Sequence, residues 1–412
     1  MRICLIGATH FCHNPRLLRE ADTLSEAGHD VCVVTPSFSL GLDQKDERHL
    51  ARRKWRHQKI DYLSVGLGGN TRSIFMRGRR RIAFELHERF GVQRLAEYGY
   101  TAALPALRRQ ALREPADWFI AHAHAALPAA AAAAHRWNAR LGFDCEDLLS
   151  DRGTDPVNIV RLIEGTYLSD CDYVSTPSQG IAKRLQGDHG VEPPVVLYNV
   201  FPLHLAEGML PPAERSPSSV VRLHWFSQTI GPDRGIEEAI ESCGMLDNEA
   251  IELHLRGSAS ASFVATLEAL ASRHRVRLKL HPQIQHDDLI RSMAQFDVGL
   301  ALEREGNVGA ALTVSNKIGS YLLAGLAIAA TDTPGQREML SQISSAGFLY
   351  PSGRPKLLAE GLRRWLDDRN ALRGAQQAAW DAARRRFCWD VEKENLLRLL
   401  ESSRSTTLAQ TT

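Results

Sequence analysis

The stretch TVSNKIGSYLLAGLAIAATD, from Thr313 to Asp332, predicts a turn, a helix, a glycine stop and a buried strand in close succession. Ser315 is a favourable N-cap for a helix that starts at Asn316, and Gly325 is a favourable residue just past its end. Lys317 then lies in the first turn, where the helix dipole already concentrates partial positive charge. A bound phosphate would make this lysine favourable, and a surface lysine that points away is the alternative.

The composition is that of an ordinary globular protein. Its 412 residues are too many for one ordinary core and favour two domains. With 44% hydrophobic and 24% charged residues and a net charge of +2, nothing indicates a nucleic-acid partner. No segment is long and apolar enough to span a bilayer, and MRICLIGA predicts a first strand rather than a signal peptide. The seven scattered cysteines indicate free thiols in a reducing cytoplasm.

The alternation of strand and helix extends through the first half of the chain. RICLIGA (2–8) is a continuous apolar run, as expected of a strand buried on both faces. NPRLLREADTLSEAG keeps helical apolar spacing, with Pro15 at its start and Gly28 at its end. Residues 44–59 and the arginines from Arg77 to Arg81 interrupt this rhythm and indicate insertions or long connections. Further strand candidates are DVCVVTP, DYLSVGL, DWFIAHA, LGFDCED, DYVSTPS and PVVLYNV.

A segment rich in Pro and Ser divides the chain near residues 200–218, and the alternation restarts after it. Two successive arrays predict an α/β fold with two Rossmann-like doubly wound parallel-sheet domains that face each other across a cleft, plus a helical C-terminal tail. Ligands of such sheets bind outside the carboxyl ends of the strands, so the site is expected in the cleft. The predicted parts are an N-terminal domain (1–205), a linker (206–218), a C-terminal domain (219–385) and a C-terminal helix (386–412) that packs back toward the N-terminal domain and frays at its end.

The second domain offers a cation in each of two loops. The loop SQTIGPDRG places Gly231 and Arg234 just before a helix, where backbone amides and one guanidinium would form a phosphate cradle. A turn with a solvated arginine is the alternative. Lys317 supplies a second cation at another strand end, and a diphosphate would use both.

The first domain offers histidines and carboxylates at strand ends. His122 and His124 lie at a strand end, where one of them can enter the site; we expect no shared metal, and a structural role is the alternative. Asp144, Glu146 and Asp147 could hold a metal or bind sugar hydroxyls. The alternative is that they are acidic residues at the N-terminus of a helix, where they interact favourably with the helix dipole. We favour structural or supporting roles for them.

Three further patterns are weak. HFCHN contains His10, Cys12 and His13 but no fourth zinc ligand is evident. SDCD lies on the N-terminal side of its strand, so we reject it as a metal motif. Gly7 lacks the rest of G-x-G-x-x-G, although it lets a backbone approach a ligand closely. We therefore predict no metal and no cofactor beyond a substrate.

Two basic segments could contact an anionic membrane surface: residues 45–59, with Arg52, Arg53 and Trp55, and the cluster Arg77–Arg81. A solvated face is the alternative. We predict a cytoplasmic protein, with peripheral contact at the inner face of the membrane as a further hypothesis.

The order and spacing of these motifs resemble those of retaining glycosyltransferases with the two-Rossmann GT-B architecture, in the bacterial family-4-type group (glycosyltransferase group 1). The resemblance covers nearly the whole chain. NPRLLREADTLSEAGHDVCVV resembles the family's first helix and second strand, and FDCEDL, YVSTPSQGIAKRL and VVLYNV resemble later N-domain segments. GPDRGIEEAI resembles the donor phosphate loop, and SNKIGSYLLAGLAIAATDTPG resembles the Asn-Lys helix and the strand after it.

The resemblance implies a hexosyltransferase-type enzyme that uses a nucleotide-sugar donor, retains the anomeric configuration and needs no metal. Its acceptor would be a hydroxyl of a glycan, a lipid-linked sugar or a small molecule. Arg234 and Lys317 would stabilise the departing diphosphate, and His122 would lie near the donor sugar. The implied donor-binding residues are Gly7, Ser227, Thr229, Gly231, Arg234, Glu303, Ser315, Asn316, Lys317 and Ser320. The acceptor-side residues are His10, Asn14, His124, Asp144 and Glu146.

The chain departs from the family pattern in its donor half. Many relatives carry two glutamates eight positions apart, the second of which usually binds the ribose, but Leu312 and Ser320 occupy these positions here. Many relatives also carry an arginine near the position of Thr229. Glu303 or Glu305 could supply a carboxylate from another direction. A catalytically degenerate binding protein and a nucleotide-sugar epimerase of the same fold therefore stay open as alternatives.

Overall fold

The computed structural model of the protein describes residues 1–51, 53–61, 67–151, 156–246, 250–284, 286–304, 306 and 308–408. The chain divides into two compact units. The first contains Met1–Pro177, Ile181–Leu197 and the C-terminal residues from Asn395; the second contains Ser178–Gly180 and Tyr198–Glu394. The division therefore lies earlier than the predicted linker.

The first unit contains a parallel sheet. Among the described residues it has seven strands in the order β3-β2-β1-β4-β5-β6-β7. β1, β2 and β4 are buried almost throughout because helices cover both faces of such a sheet. The strands are β1 (Arg2–Gly7), β2 (Asp30–Ser37), β3 (Arg56–Asp61), β4 (Trp118–His122), β5 (Arg140–Asp144), β6 (Tyr173–Thr176) and β7 (Val195–Val196).

Helices connect these strands in the order expected of a doubly wound domain. The first, α1, starts with Pro15 at its first position, and Gly28 follows it in the left-handed conformation (φ 84°), as predicted. The helices are α1 (Pro15–Glu26), α2 (Leu40–Leu50), α3 (Leu67–Phe90), α4 (Glu97–Tyr100), α5 (Leu104–Ala111), α6 (Leu127–Trp137), α7 (Val157–Tyr167) and α8 (Gln179–His189).

The second unit contains another parallel sheet. Its described residues form six strands in the order β10-β9-β8-β11-β12-β13. On one face, alternate residues of β8 and β9, among them Leu223, Trp225, Leu253 and Leu255, join the apolar core. The strands are β8 (Val221–Thr229), β9 (Ile251–Ser258), β10 (Leu278–His281), β11 (Val298–Ala301), β12 (Ala327–Thr331) and β13 (Gly347–Tyr350).

The helices of the second half include the predicted helix of the opening stretch. Asn316–Ala324 is helical, and Gly325 ends it in the left-handed conformation (φ 67°). None of the described helices is long and apolar enough to cross a membrane. The helices are α9 (Ile236–Cys243), α10 (Ala261–His274), α11 (His286–Ser292), α12 (Val308–Leu312), α13 (Asn316–Ala324), α14 (Pro334–Leu340), α15 (Pro355–Asp367), α16 (Arg369–Arg385) and α17 (Trp389–Leu408).

The prediction of two Rossmann-like parallel-sheet domains with a helical C-terminal region is confirmed. The prediction that residues 44–59 interrupt the pattern is wrong. Residues 44–50 belong to α2 and residues 56–59 to β3, which pairs with β2 from Cys32↔Arg56 to Ser37↔Asp61. α2 lacks an apolar stripe because it buries Asp43 and Asp46 instead, and β3 is a polar edge strand. Of the strand candidate DYLSVGL, residues 62–66 lie outside the described residues, as does Arg52.

Two other differences concern the second unit. Residues 206–218, the predicted linker, are grouped with this unit, since Arg215 donates to the carbonyls of Ala324 and Gly325 at the end of α13. The strand β13 was not predicted from the sequence. Its partner Ile328 lies so close that a Cβ on Gly347 would be 2.1 Å from the Ile328 carbonyl oxygen.

Candidate functional site

Lys317 lies in the first turn of α13, as predicted, and a carboxylate is already beside it. Its Nζ is 2.7 Å from Oε1 of Glu303, which follows β11 on the carboxyl side. The Nζ also lies 5.6 Å from the centre of the Trp225 ring, in the range of a cation–π contact. The lysine is therefore held in one position by an acid and an aromatic face. We call this arrangement the lysine pair (Lys317 and Glu303).

The lysine pair is only partly buried. Lys317 is 14% exposed and Glu303 is 30% exposed. Lys317 lowers the pKa of the Glu303 carboxyl, although burial opposes this, and Ser315 and Arg234 add to the lowering. Glu303 is thus an anion at neutral pH, and both of its hydrogen bonds from described residues end at Oε1. Its second oxygen is an acceptor with no donor among the described residues.

Ser315 occupies the N-cap position of α13, but its side chain does not cap the helix. Its Oγ instead donates to Oε1 of Glu303 at 2.8 Å. The expected capping hydrogen bond is therefore wrong, because the carboxylate attracts the hydroxyl away from the backbone amides. The first-turn amides of α13 therefore donate no hydrogen bond to the side chain of this serine.

Arg234 lies in the loop between β8 and α9, at the carboxyl end of its strand. Its guanidinium is exposed and donates to the Ser227 hydroxyl at 3.4 Å. The loop turns through Asp233 (φ 61°) and Gly235 (φ 72°), and a Cβ on Gly235 would lie 2.8 Å from that of Leu302. Only glycine fits this position, because it combines left-handed backbone with close packing.

The remaining donor-side candidates differ in their exposure to solvent. Thr229 ends β8 and is exposed, as is Asn316 at the start of α13, whereas Gly231 is buried. Ser320 is fully buried, and its Oγ donates to the carbonyl of Asn316 in the preceding turn. Leu312 ends α12, and Glu305 lies outside the described residues.

In the first unit, the corresponding strand ends hold a charged cluster that is almost fully buried. Arg16 of α1 donates through Nη2 to Asp144 Oδ1 at 2.8 Å and through Nε to Oδ2. Its third contact is the Leu197 carbonyl, at 2.7 Å from Nη1. Asp144 also accepts from the Ser175 hydroxyl at 2.6 Å. The carboxylate therefore joins α1 to β5 and β6.

His122 ends β4 inside the same cluster, and its side chain is fully buried. Nδ1 lies 3.2 Å from Glu146 and 3.5 Å from Asp144, while Nε2 lies 3.2 Å from Glu20. Burial alone would lower the pKa of His122, but Glu20, Glu146 and Asp144 raise it to about 10. The imidazole is thus a cation at neutral pH. We call these groups the buried ion cluster (Arg16, Glu20, His122, Asp144).

The other first-unit candidates surround this cluster or lie apart from it. Asn14 caps α1 by accepting from Leu17 N–H at 2.9 Å, and its amide donates to Glu146. Gly7 ends β1, where a Cβ would be 2.9 Å from Leu17. His124 is buried against Glu164, 2.8 Å from Nε2, so it does not join His122.

His10 takes part in a separate buried pair. Its Nε2 accepts from the Phe38 amide at 2.7 Å, so the proton of a neutral ring is on Nδ1, which donates to Asp46 at 2.8 Å. His10, Asp43 and Asp46 lie close enough to hold a metal, as do Glu20, His122 and Asp144. In the first trio the ring proton of a neutral His10 faces Asp46, and in the second Asp144 is already paired with Arg16.

Sequence reasoning missed Arg16 and Glu20, which are buried although they belong to an amphipathic helix. The available signal is the spacing of Arg16, Arg19 and Glu20, which places three charges on one side of α1 in its first turns. That side faces the strand ends that carry His122 and Asp144. Trp225, under Lys317, was missed because it is one buried aromatic residue in an apolar strand.

Residues 13–199 match the family described as glycosyl transferase 4-like domain. No curated protein sequence matches the chain. Solved structures resemble it over nearly its full length at low identity, which shows the fold alone. A glycosyltransferase from Rickettsia africae ESF-5 is 12% identical, with 98% of both chains covered and a TM-score of 0.68.

Two further structures extend this likeness. HepE from Anabaena, solved in complex with UDP, is 16% identical over 98% of this chain and 100% of its own, with a TM-score of 0.68. Sucrose-phosphate synthase from Thermosynechococcus elongatus is 13% identical over 98% of this chain and 100% of its own, with a TM-score of 0.67. The two-sheet fold of the chain is therefore the fold of these proteins.

Proposed function

We propose that the chain, whose residues 13–199 match a glycosyl transferase 4-like domain, is a glycosyltransferase of the GT-B type that transfers a sugar from a nucleotide-sugar donor to an acceptor hydroxyl with retention at the anomeric carbon. The observation that supports this best is Lys317. It is a cation in the first turn of α13, oriented by Glu303 and Trp225 and still partly exposed.

In this proposal the second unit binds the donor diphosphate. Lys317 and Arg234 supply positive charge, and the first-turn amides of α13, which Ser315 leaves without a cap, supply hydrogen bonds. These groups stabilise the negative charge that develops on the departing nucleotide diphosphate. The positive charge comes from side chains, so the proposal includes no metal or other cofactor. The UDP complex of HepE makes UDP-sugars the first donors to test.

Glu303 is our candidate for the missing ribose-binding carboxylate. Leu312 and Ser320 carry no charge, and Ser320 is buried and bonded to its own helix. Glu303 is ionised, partly exposed and fixed through Oε1, so Oε2 can accept from a ribose hydroxyl. The Glu303 carboxylate would then take the role of the ribose-binding glutamate of relatives, from a different position in the chain.

The first unit supplies the acceptor side in this proposal. His122 is buried among Glu20, Asp144 and Glu146, so in this proposal it positions the carboxyl end of β4 rather than contacting substrate through its ring in this conformation. The acceptor is a glycan, a lipid-linked sugar or a small molecule, and a role in cell-surface polysaccharide synthesis fits each of the first two. A cytoplasmic location with peripheral membrane contact through Arg77–Arg81 belongs to the same proposal.

Calorimetry with UDP-, GDP- and ADP-sugars tests donor binding. We expect Lys317→Ala and Arg234→Ala each to weaken binding by about 1.5–3 kcal/mol, or roughly 10- to 150-fold, because each removes a charge-assisted bond. Lys356→Ala is the matched control, since Lys356 is also the second residue of its helix, α15, and is exposed. Binding that is unchanged in both variants, or absent for every donor, would remove this assignment.

The chemical outcome separates the proposed function from its alternatives. A retaining transferase gives a product with the donor's anomeric configuration, which NMR of the linkage reports. A degenerate binding protein gives no transfer above donor hydrolysis. An epimerase converts the nucleotide sugar without any acceptor.

A further inference from the structure

Helix α3 of the first unit presents apolar side chains to solvent. Ile74 is 63% exposed, Phe75 is 68% exposed and Ile82 is 62% exposed. Spacings of seven and eight residues place all three on one face of the helix, with Gly78 between them. We call this surface the apolar strip (Ile74, Phe75, Ile82).

The opposite face of α3 packs against the protein. Met76 and Ala83, seven residues apart, are both buried. Further along, Glu88 accepts from Asn158 at 3.1 Å, which joins the helix end to α7. The apolar strip is therefore an outer surface of an anchored helix, and its exposure does not come from a detached segment.

Arginines surround the apolar strip. Arg77, Arg80 and Arg81 are exposed and Arg79 is half-buried, and no acidic residue lies between positions 74 and 82. The next acid, Glu85, is paired with Arg89 at 2.7 Å. The helix surface formed by residues 74–82 is thus both apolar and strongly basic.

We infer that α3 lies in the surface of an anionic lipid bilayer, with Ile74, Phe75 and Ile82 at the boundary of the acyl chains and the arginines among the phosphate headgroups. This amphipathic arrangement is the one that interfacial helices use, since apolar burial and attraction to anionic lipid act together. A protein partner would need an acidic surface that fits this fixed arrangement of arginines. Lipid headgroups can instead move to place a negative charge beside each arginine. The inference deepens the proposed membrane contact and does not depend on the transfer reaction.

The inference predicts which acceptors the enzyme meets. An enzyme whose first unit is held at a lipid surface encounters acceptors that are anchored there at high local concentration. Lipid-linked sugars are therefore the favoured class among the acceptors proposed above. A water-soluble analogue of the same sugar should be used less efficiently.

Vesicle co-sedimentation tests the inference with the full chain. Wild type should bind vesicles of phosphatidylcholine with phosphatidylglycerol, bind phosphatidylcholine alone far more weakly, and lose binding as salt is raised. The triple variant Arg77→Gln, Arg80→Gln, Arg81→Gln should weaken binding by about a hundredfold. The triple variant Ile74→Ser, Phe75→Ser, Ile82→Ser should weaken it by at least about tenfold.

Matched controls use exposed residues elsewhere in the first unit. Leu40→Ser removes another exposed apolar side chain, and Arg109→Gln with Arg113→Gln removes two other exposed cations. These controls should bind vesicles as wild type does. Every variant should retain nucleotide-sugar affinity by calorimetry, which also checks that it is folded.

Three outcomes would overturn the inference. Wild type could fail to bind anionic vesicles, the apolar triple variant could bind as well as wild type, or wild type could be a dimer that the apolar triple variant converts to a monomer. The last outcome would assign the strip to a second copy of this chain. Vesicle binding by a chain that binds no nucleotide sugar would instead leave this inference standing and remove the proposed transferase activity.

Discussion

The two units place charge at the carboxyl ends of their strands in opposite ways. In the first, Arg16, Glu20, His122 and Asp144 are sealed from water and neutralise one another. In the second, Lys317 and Glu303 form one short ion pair that solvent reaches. A sealed cluster has no unused charge for a ligand, whereas an open pair can exchange its internal partner for an external anion. We infer that the buried ion cluster stabilises the fold of the first unit and that the lysine pair binds substrate.

The largest difference should appear in stability. Asp144→Asn leaves Arg16 buried without its counter-charge, so we expect it to lower the free energy of unfolding by about 3–5 kcal/mol. Glu303→Gln should lower it by less than about 1 kcal/mol, because the lysine pair is partly exposed and screened. Urea unfolding followed by fluorescence and circular dichroism measures both. Similar losses in the two variants would remove the distinction between the sealed and open sites.

The second difference is in the response to pH. The pKa of His122 is raised from 6.5 to about 10, so its contribution to stability is complete below about pH 6.5 and is lost as pH rises through 10. This group contributes at most about 1.4 kcal/mol per pH unit in that range. His122→Gln should therefore flatten the alkaline decline seen in wild type.

His135→Gln is the control for this pH series, since His135 is exposed on α6 of the same unit. It should keep the wild-type slope. A wild-type chain whose free energy of unfolding does not change between pH 7 and pH 10, after correction for the control, contradicts the charged state that we assign to His122.

The smallest effect should be at the start of α13. Ser315→Ala should lower the free energy of unfolding by less than about 0.5 kcal/mol, because the serine does not cap the helix. Ser260→Ala is the matched control in the same unit: Ser260 accepts from Phe263 N–H as the N-cap of α10, so its loss should remove about 1 kcal/mol. Equal losses would mean that Ser315 caps α13 in solution.

The features that the sequence predicted are local ones. The helix from Asn316 to Ala324, its end at Gly325 and the strand that follows each depend on residues within a few positions of one another. Periodicity, capping preference and glycine conformation carry that information directly. The position of Lys317 in the first turn was predictable for the same reason.

The features that the sequence did not predict depend on distant partners. Arg16 and Glu20 are of residue types that usually lie at the surface. They are buried here because strand ends more than a hundred positions later in the chain pack around them. The sequence pattern does not predict α2 and β3, because α2 buries Asp43 and Asp46 against His10, which reverses the usual apolar pattern. Ser315 was expected to cap α13 because Glu303, twelve positions earlier, cannot be placed beside it from spacing alone.

The contacts of Arg16 also impose an order on biosynthesis. The guanidinium emerges from the ribosome early, but its partners Asp144 and Leu197 are 128 and 181 positions later. Until Asp144 is synthesised, the nascent first unit cannot bury Arg16 with its charge matched, and until Leu197 is synthesised Nη1 lacks its carbonyl acceptor, so Arg16 must stay hydrated during most of that unit's translation. The residues from Asn395 join the same unit last of all, after the whole second unit has been made. The N-terminal domain is therefore the first to be translated and the last to be completed.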